Sequence, residues 1–400
     1  MMAVNMERFV SEAKGNGLRA LRELKAGEVI HSCEPYAFCI AKDFLKTACQ
    51  SCLKRGESLS RCSQCKTARY CSAQCQKQAW PDHKRECKCL KRLQPRIPTD
   101  SVRLVARIIF KLLSQSESDQ EELYSIVEHQ SRKCFICTTH QALFSEGECY
   151  VLSEMQRYVS HSLFHVFTQV TCNCFSISDG ELQDVGVGLY PSAADCYSPC
   201  LLMFQALTIS YTDILATSKE RRSHLQQQYH FLCQCTRCST EDKDCDMLAG
   251  EKTAWTSLRD AIPHLEQLQS EQRWEELLKE SQAFLHRYAD VVPDRNIYVL
   301  RLLDLAMDAC ISLDDYETAL EYGSRALESY KLYYSDPHPS RAVELLRVGK
   351  LQHYQGRLEE AQGSFTQAYD IMKVTHGTAH ALTNEVSRKL SECQAELGRV

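Results

Sequence analysis

The sequence predicts an α+β protein: short N-terminal strands, then a small metal-held module, then an all-α repeat domain. Three observations predict it. Eight metal-ligand residues, Cys49, Cys52, Cys62, Cys65, Cys71, Cys75, His83 and Cys87, fall within 39 positions. Short alternating runs with turn signals precede them. In the last third, chemically similar residues recur every 42 positions.

The N-terminal strands come first. Arg8-Phe9-Val10, Leu18-Arg19-Ala20-Leu21 and Gly27-Glu28-Val29-Ile30-His31 read as three short strands. Gly15-Asn16-Gly17 lies between the first two, and Asn-Gly is a strong tight-turn signal. The plain reading is a hairpin turn; glycine also lets a backbone approach a ligand closely.

The ligand run follows as C-x2-C, C-x2-C, C-x3-C and H-x3-C. Tetrahedral structural zinc takes four thiolate or imidazole ligands, and short pairs of this kind supply them locally. Eight ligands make two complete sites; buried free thiols are the plainer alternative. The run has no hydrophobic period, so bound metal must supply its folding energy. Beyond it, residues 82–93 read as a helix carrying Lys84, Arg85, Lys88, Lys91 and Arg92. Such a basic face either binds nucleic acid or is simply solvated. Residues 101–113 read as an amphipathic helix with Asp100 or Ser101 as its cap. Residues 132–152 show no period, and their Cys134, Cys137 and His140 lack a fourth ligand nearby.

The repeat signal is in the last third. Trp274, Tyr316 and Leu358 are 42 apart, as are Leu277, Ala319 and Ala361, and Phe284, Ala326 and Ala368. Asp336-Pro337-His338-Pro339 and Gly377-Thr378-Ala379-His380 read as linkers. Stacked helix pairs produce this period, and small residues at helix contacts permit close packing. Such a stack is a binding wall or a scaffold.

Composition narrows the class. The chain has 400 residues and 23 cysteines. Apart from the ligand run and a C-x-C-x2-C run at Cys233, Cys235 and Cys238, the cysteines are scattered, with no disulfide framework. The first residues lack the apolar core of a signal peptide, and no stretch has the length of a membrane span. A reducing compartment, cytoplasm and nucleus, is expected. From residue 49 to 98 there are 12 Lys/Arg against 3 Asp/Glu; from 251 to 400 there are 17 against 24. A basic module and an acidic repeat region suit different partners.

Several strings then converge in order. They are Gly15-Asn16-Gly17-Leu18-Arg19-Ala20, the ligand run ending in Trp80-Pro81-Asp82-His83-Lys84-Arg85-Glu86-Cys87, and Cys172-Asn173-Cys174-Phe175. Val185-Gly186-Val187-Gly188-Leu189-Tyr190-Pro191-Ser192, Leu207-Thr208-Ile209-Ser210-Tyr211 and Cys233-Gln234-Cys235-Thr236-Arg237-Cys238 complete the series. In this order they resemble the SET- and MYND-domain protein-lysine methyltransferases over nearly the whole chain. The resemblance implies a β-rich SET domain interrupted by a MYND zinc finger, followed by an all-α tetratricopeptide-like C-terminal domain. The implied bounds are 1–48 for the first SET part, 49–87 for the finger and 88–212 for a helical region and shortened SET core. Residues 213–245 form the post-SET zinc region and 246–400 the helical domain.

It also implies S-adenosylmethionine as methyl donor and a lysine of a histone tail or signalling protein as acceptor. Tyr211 matches the catalytic tyrosine; read alone, it is a strand tyrosine. Lys14, Gly15, Asn16, Tyr124 and Phe231 fall where the family holds the cofactor, with Lys14 in place of an arginine and Asn173 a weaker match. Tyr229 falls at the lysine channel. Zinc is implied at three sites: Cys49, Cys52, Cys71 and Cys75; Cys62, Cys65, His83 and Cys87; and Cys196 with Cys233, Cys235 and Cys238. The chemistry suits a narrow channel: a free lysine has a pKa of about 10.4, and the attacking amine must be neutral and aligned.

The chain also departs from the family pattern. Where Asn-His-x-Cys is expected it has Ala193-Ala194-Asp195-Cys196, and only 18 residues separate Ser192 from Tyr211. Arg132 stands where a cofactor asparagine is expected, and 132–152 does not match. Two off-family windows of this kind suggest altered exon joins, as in a splice variant or a faulty gene model. Two further readings therefore stand beside the enzyme. One is an adaptor whose finger docks a proline-rich segment; the other is a cofactor touching DNA through Lys84 to Arg92. A monomer without membrane contact is expected in each.

Overall fold

The computed structural model describes residues 6–11, 15–25, 27–29, 32–112, 114, 174–190, 211–229 and 231–398. The readings on Lys14, Tyr124, Arg132, Asn173, Cys196 and residues 132–152 and 193–206 lie outside them. The chain divides into two compact units. One comprises Met1–Glu23, Val29–Ile209 and Gln227–Phe231; the other comprises Leu24–Glu28, Ser210–Gln226 and Leu232–Val400.

In the first unit, β1 (Met6–Ser11) and β2 (Gly15–Ala20) form an antiparallel hairpin. Asn16 pairs with Val10 and Gly17 with Phe9, so Gly15-Asn16-Gly17 opens the second strand instead of making the turn. Ladder pairing overrides the local Asn-Gly preference here. The third expected strand is also corrected. Gly27 takes φ +80°, and Glu28 N bonds back to Lys25 O at 3.0 Å, so the described residues 27–29 begin with a turn. Glycine adopts that dihedral without steric cost.

A three-stranded antiparallel sheet has the order β3 (Ala37–Ile40), β7 (Asp184–Leu189), β6 (Cys174–Ser178). Gly186 permits the close approach of β3: a Cβ there would sit 2.6 Å from Cys39 O. The finger contributes a short hairpin, β4 (Ser60–Arg61) with β5 (Arg69–Tyr70), and α1 (Ala73–Leu93).

α1 starts nine residues before the expected Asp82 and runs through Pro81. A proline inside a helix removes one ladder donor and costs about 3 kcal/mol. Anchoring on both sides offsets that cost: Ser72 caps the start by accepting from Cys75 N at 3.1 Å, and His83, Glu86, Cys87 and Leu90 are buried beyond the proline. α2 (Asp100–Leu112) packs Val102, Val105, Ile108 and Ile109 in one core with Ala37, Cys39 and Leu189. It begins at Asp100, so both expected caps lie inside its first turn. Three basic side chains reach from α2 to backbone carbonyls of the β3 segment. Lys111 Nζ donates to Tyr36 O at 2.6 Å, Arg107 Nη1 to Phe38 O at 2.6 Å and Arg103 Nη1 to Ile40 O at 2.8 Å.

Further along the chain come α3 (Ser218–Tyr229), whose residues up to Gln226 are counted with the second unit, and α4 (Thr236–Thr240) and α5 (Asp244–Met247) of that unit. Seven longer helices follow: α6 (Lys252–Ser270), α7 (Trp274–Tyr288), α8 (Ile297–Ser312), α9 (Tyr316–Tyr333), α10 (Pro339–Tyr354), α11 (Leu358–Thr375) and α12 (Ala381–Leu397). The expected period is physical. α7, α9 and α11 begin at Trp274, Tyr316 and Leu358, and Leu277, Ala319 and Ala361 are all fully buried.

Two features share the period without having been singled out in the sequence. Gln272, Asp314 and Gly356, each two residues before those helices, have φ of 59°, 60° and 73°. Asn296, His338 and His380 each cap the following helix, accepting from the N–H two residues on. Among the described residues no helix is long and apolar enough to cross a membrane.

Candidate metal centres

The eight finger ligands fall into the two interleaved sets expected. Within each set the ligand atoms lie within 4.8 Å of one another. In the first, Cys52 Sγ is 3.6 Å from Cys71 Sγ, which is 3.5 Å from Cys75 Sγ. In the second, Cys62 Sγ is 3.7 Å from Cys87 Sγ, and Cys65 Sγ is 3.6 Å from His83 Nε2. A tetrahedral zinc with bonds of about 2.3 Å requires sulfur atoms about 3.8 Å apart. A disulfide requires about 2.0 Å, and every cysteine of the two sets is a free thiol. The spacing fits a metal and excludes pairing.

The local fold favours the thiolate at one ligand of each set, Cys49 and Cys65, whereas burial and contacts with neighbouring thiols raise Cys52, Cys71 and Cys87. Burial raises the Cys49 thiol, but N–H groups of Cys52, Cys71 and Ser51 outweigh it and bring the pKa to about 7. Burial likewise opposes ionisation of Cys65, yet His83 and the N–H groups of Ala68 and Thr67 bring it to about 6. Cys75 sits in the first turn of α1, where the helix dipole favours negative charge. The two centres differ in exposure: Cys52 and Cys71 are exposed, whereas all four ligands of the second are buried.

The second centre has a polar surround that sequence reasoning missed. His83 Nδ1 lies 3.2 Å from Glu86 Oε2, so the imidazole turns Nε2 to the ligand side and Nδ1 to the carboxylate. Arg107 donates to Glu86 Oε2 from Nε at 3.0 Å and Nη2 at 2.6 Å, and Arg103 Nε donates to Oε1 at 3.4 Å. Glu86 is 3% exposed, and Arg107 with His83 and Arg103 holds its carboxyl well below the usual range against the opposing effect of burial. One signal was available: Arg103 and Arg107, four apart, interrupt an otherwise apolar helix face.

Cys233, Cys235 and Cys238 form a third buried group. Cys235 Sγ caps α4 by accepting from Cys238 N at 3.3 Å. The preceding segment is clasped to this region: Arg237 donates to Ile214 O and Ala216 O at 2.7 and 2.8 Å, and Ser218 N to Asp244 Oδ1 at 3.0 Å. A closed structural site takes four ligands. The expected fourth, Cys196, lies outside the described residues.

The other expected site residues stand as follows. Gly15 and Asn16 are in β2. Tyr211 is half-buried in irregular backbone, not in a strand, at the first described position after residue 190. Tyr229 ends α3, and Phe231 precedes the cysteine trio; both are half-buried. On α1, Lys84, Arg85, Lys88, Lys91 and Arg92 are all exposed, and Arg85 also donates to the Phe110 carbonyl at 3.4 Å.

Comparison with known proteins agrees with this architecture. Residues 49–87 match the MYND finger family and residues 298–374 a tetratricopeptide repeat family. The chain is 40% identical over 430 positions to the human histone-lysine N-methyltransferase SMYD3, covering 99% of each chain. It is similarly 40% identical to the mouse protein of that name, and 30% identical to mouse Smyd1 over 98% of this chain and 90% of that one. Among solved structures, a TPR-like repeat protein from Podosopora anserina shares 15% identity at a TM-score of 0.30, covering 36% of this chain and 67% of that one. The SMYD3 alignment spans 430 positions on a chain of 400 residues, so gaps open within it. The finger, the repeats and the identity along nearly the full length together place the chain in the SMYD family of lysine methyltransferases.

Proposed function

We propose that the chain is an S-adenosylmethionine-dependent protein-lysine N-methyltransferase acting on histone or non-histone proteins, with zinc at three sites. One observation carries the reading: 40% identity to a histone-lysine N-methyltransferase over 99% of both chains. The donor sets suit zinc: two groups of four thiol and imidazole ligands, each within 4.8 Å, and a buried trio of thiols. Bound S-adenosylmethionine supplies the activated methyl group. Tyr211 is the residue assigned to align and desolvate the acceptor amine, Tyr229 lines its channel, and Gly15, Asn16 and Phe231 contact the donor, with Lys14 and Tyr124. The reduced thiols suit the cytoplasm and nucleus, and the acidic repeat region suits a basic substrate tail.

A second reading has its own support. Ala193 and Ala194 stand where the family holds the cofactor with Asn and His, and the alignment needs gaps in this chain. Each lost cofactor hydrogen bond costs about 1 kcal/mol. An adaptor that docks a proline-rich partner through the finger, with a silent SET core, follows from that loss. Titration calorimetry with S-adenosylmethionine, paired with methyl transfer to a histone mixture, separates the two. Binding heat with transfer supports the enzyme, and a flat isotherm without transfer supports the adaptor.

A further inference from the structure

Glu86 occupies a position that neither metal binding nor packing alone requires. It stands between a zinc-ligand histidine and the helix that holds strand β3. Its Oε2 meets His83 Nδ1 and two nitrogens of Arg107, and its Oε1 meets Arg103 Nε. The same guanidinium groups extend their remaining Nη1 groups to the Phe38 and Ile40 carbonyls. Every side chain in this relay is at most 6% exposed.

Charge explains why the relay depends on metal. A zinc ion with three thiolates and one neutral imidazole carries one net negative charge. That charge and the Glu86 carboxylate together balance Arg103 and Arg107. Removing the ion releases the four ligands from a common centre, and the buried pair of guanidinium groups loses a neighbour of fixed charge and fixed position. Asp100, 3.6 Å from Arg103 Nη1, is about one-third exposed and compensates only weakly. Without the metal, His83 also loses the constraint that keeps Nδ1–H directed at Glu86.

We propose that Glu86 is a positioning residue that couples occupancy of the second zinc centre to the anchoring of strand β3. The inference rests on zinc filling the Cys62, Cys65, His83 and Cys87 set. Coupling of this kind is reciprocal, so loosening the clasp on β3 must weaken metal binding at that centre.

The test uses the full chain, purified with zinc. Hydrogen exchange at Phe38–Ile40 is followed while zinc is withdrawn by a chelator, with metal content measured in the same samples. Cobalt replacement distinguishes the all-thiolate first centre from the second, which has an imidazole among its ligands, by their spectra. Exchange at Phe38–Ile40 is expected to rise roughly tenfold or more as the second centre empties. Glu86→Gln is expected to weaken metal at the second centre by roughly 10- to 100-fold and to shift its cobalt bands, leaving the first centre unchanged. Arg107→Lys keeps the charge but loses the fork, and a several-fold weakening confined to the same centre is expected. Unchanged exchange at Phe38–Ile40 after the second centre is emptied overturns the coupling, and this arm needs no substitution. Unchanged second-centre affinity in Glu86→Gln overturns it as well. A wild-type second centre that takes up no metal overturns the zinc reading itself, and the metal count identifies that outcome.

Discussion

The finger and the helical repeats solve the folding problem in opposite ways. The finger core consists of Cys49, Cys62, Cys65 and Cys87 with little else beyond Ala68, Tyr70 and Leu90. The repeats bury an extended set of Leu, Ala, Val, Met and aromatic side chains, among them Phe365, Leu277 and Met307 at 0% exposure. The first region cannot hold without its metal; the second needs none. Each method also leaves a different trace in sequence. Ligand spacing is read within a few residues, whereas helix stacking is read across 42.

The largest expected effect tests the metal side. A structural zinc contributes about 10–16 kcal/mol to a finger's folding. Cys62→Ser should therefore unfold the finger while the repeats keep their own thermal transition, read by calorimetry with metal analysis. A single transition lost as a whole would show that the two regions do not differ in this way. The core side comes next. Phe365→Ala should cost about 3–5 kcal/mol through the cavity it leaves, with zinc content unchanged.

A smaller effect of opposite sign is expected at Asp304. Burial and the neighbouring carboxylates of Glu344 and Asp308 raise its pKa well above the ordinary value, against Arg347. Its Oδ1 and Glu344 Oε1 are buried without hydrogen-bond partners. The unfolded chain releases this proton at about pH 3.9. Above that pH and below the folded pKa only the native state keeps it, so the stabilising contribution is complete at low pH and is lost as pH rises through the folded value. Asp304→Asn should raise stability at neutral pH by about 1 kcal/mol and flatten the acid side of the profile. A lower melting point in the variant at neutral pH would count against a strained carboxylate. The smallest effect is at a cap: His380→Ala should cost about 0.5–1 kcal/mol, while His380→Asn should cost little, because Asn296 fills the equivalent place in an earlier repeat.

The same contrast explains what the sequence made legible. Cysteine and histidine at short spacings are the usual ligands of structural zinc, so the eight finger ligands could be read from residue types alone, whereas their division into two interleaved sets came with the resemblance. Small residues at 319, 326, 361 and 368 reported the helix contacts because each contact tolerates little else. Gly15-Asn16-Gly17 misled because its turn preference is local, while the ladder opposite Phe9 and Val10 is not. The helix expected from Asp82 starts at Ala73, because Ser72 caps it through Cys75 N, a local signal masked by the metal-ligand run around it. Glu86 escaped notice because its partners Arg103 and Arg107 are 17 and 21 residues away, beyond a helix-period argument. Family resemblance, not spacing, supplied Tyr211, Tyr229 and Phe231.

The basic row on α2 has a consequence beyond the metal. β3 lies at one side of its sheet among the described strands. Ala41 N donates to Val185 O at 3.0 Å, so by the alternation of an antiparallel pair the Phe38 and Ile40 carbonyls point away from β7. Such a row of open acceptors invites strand addition from another molecule, the first step of aggregation. Arg103, Arg107 and Lys111 occupy these carbonyls with side chains instead of a strand. The helix thereby closes the sheet margin to recruitment by other chains.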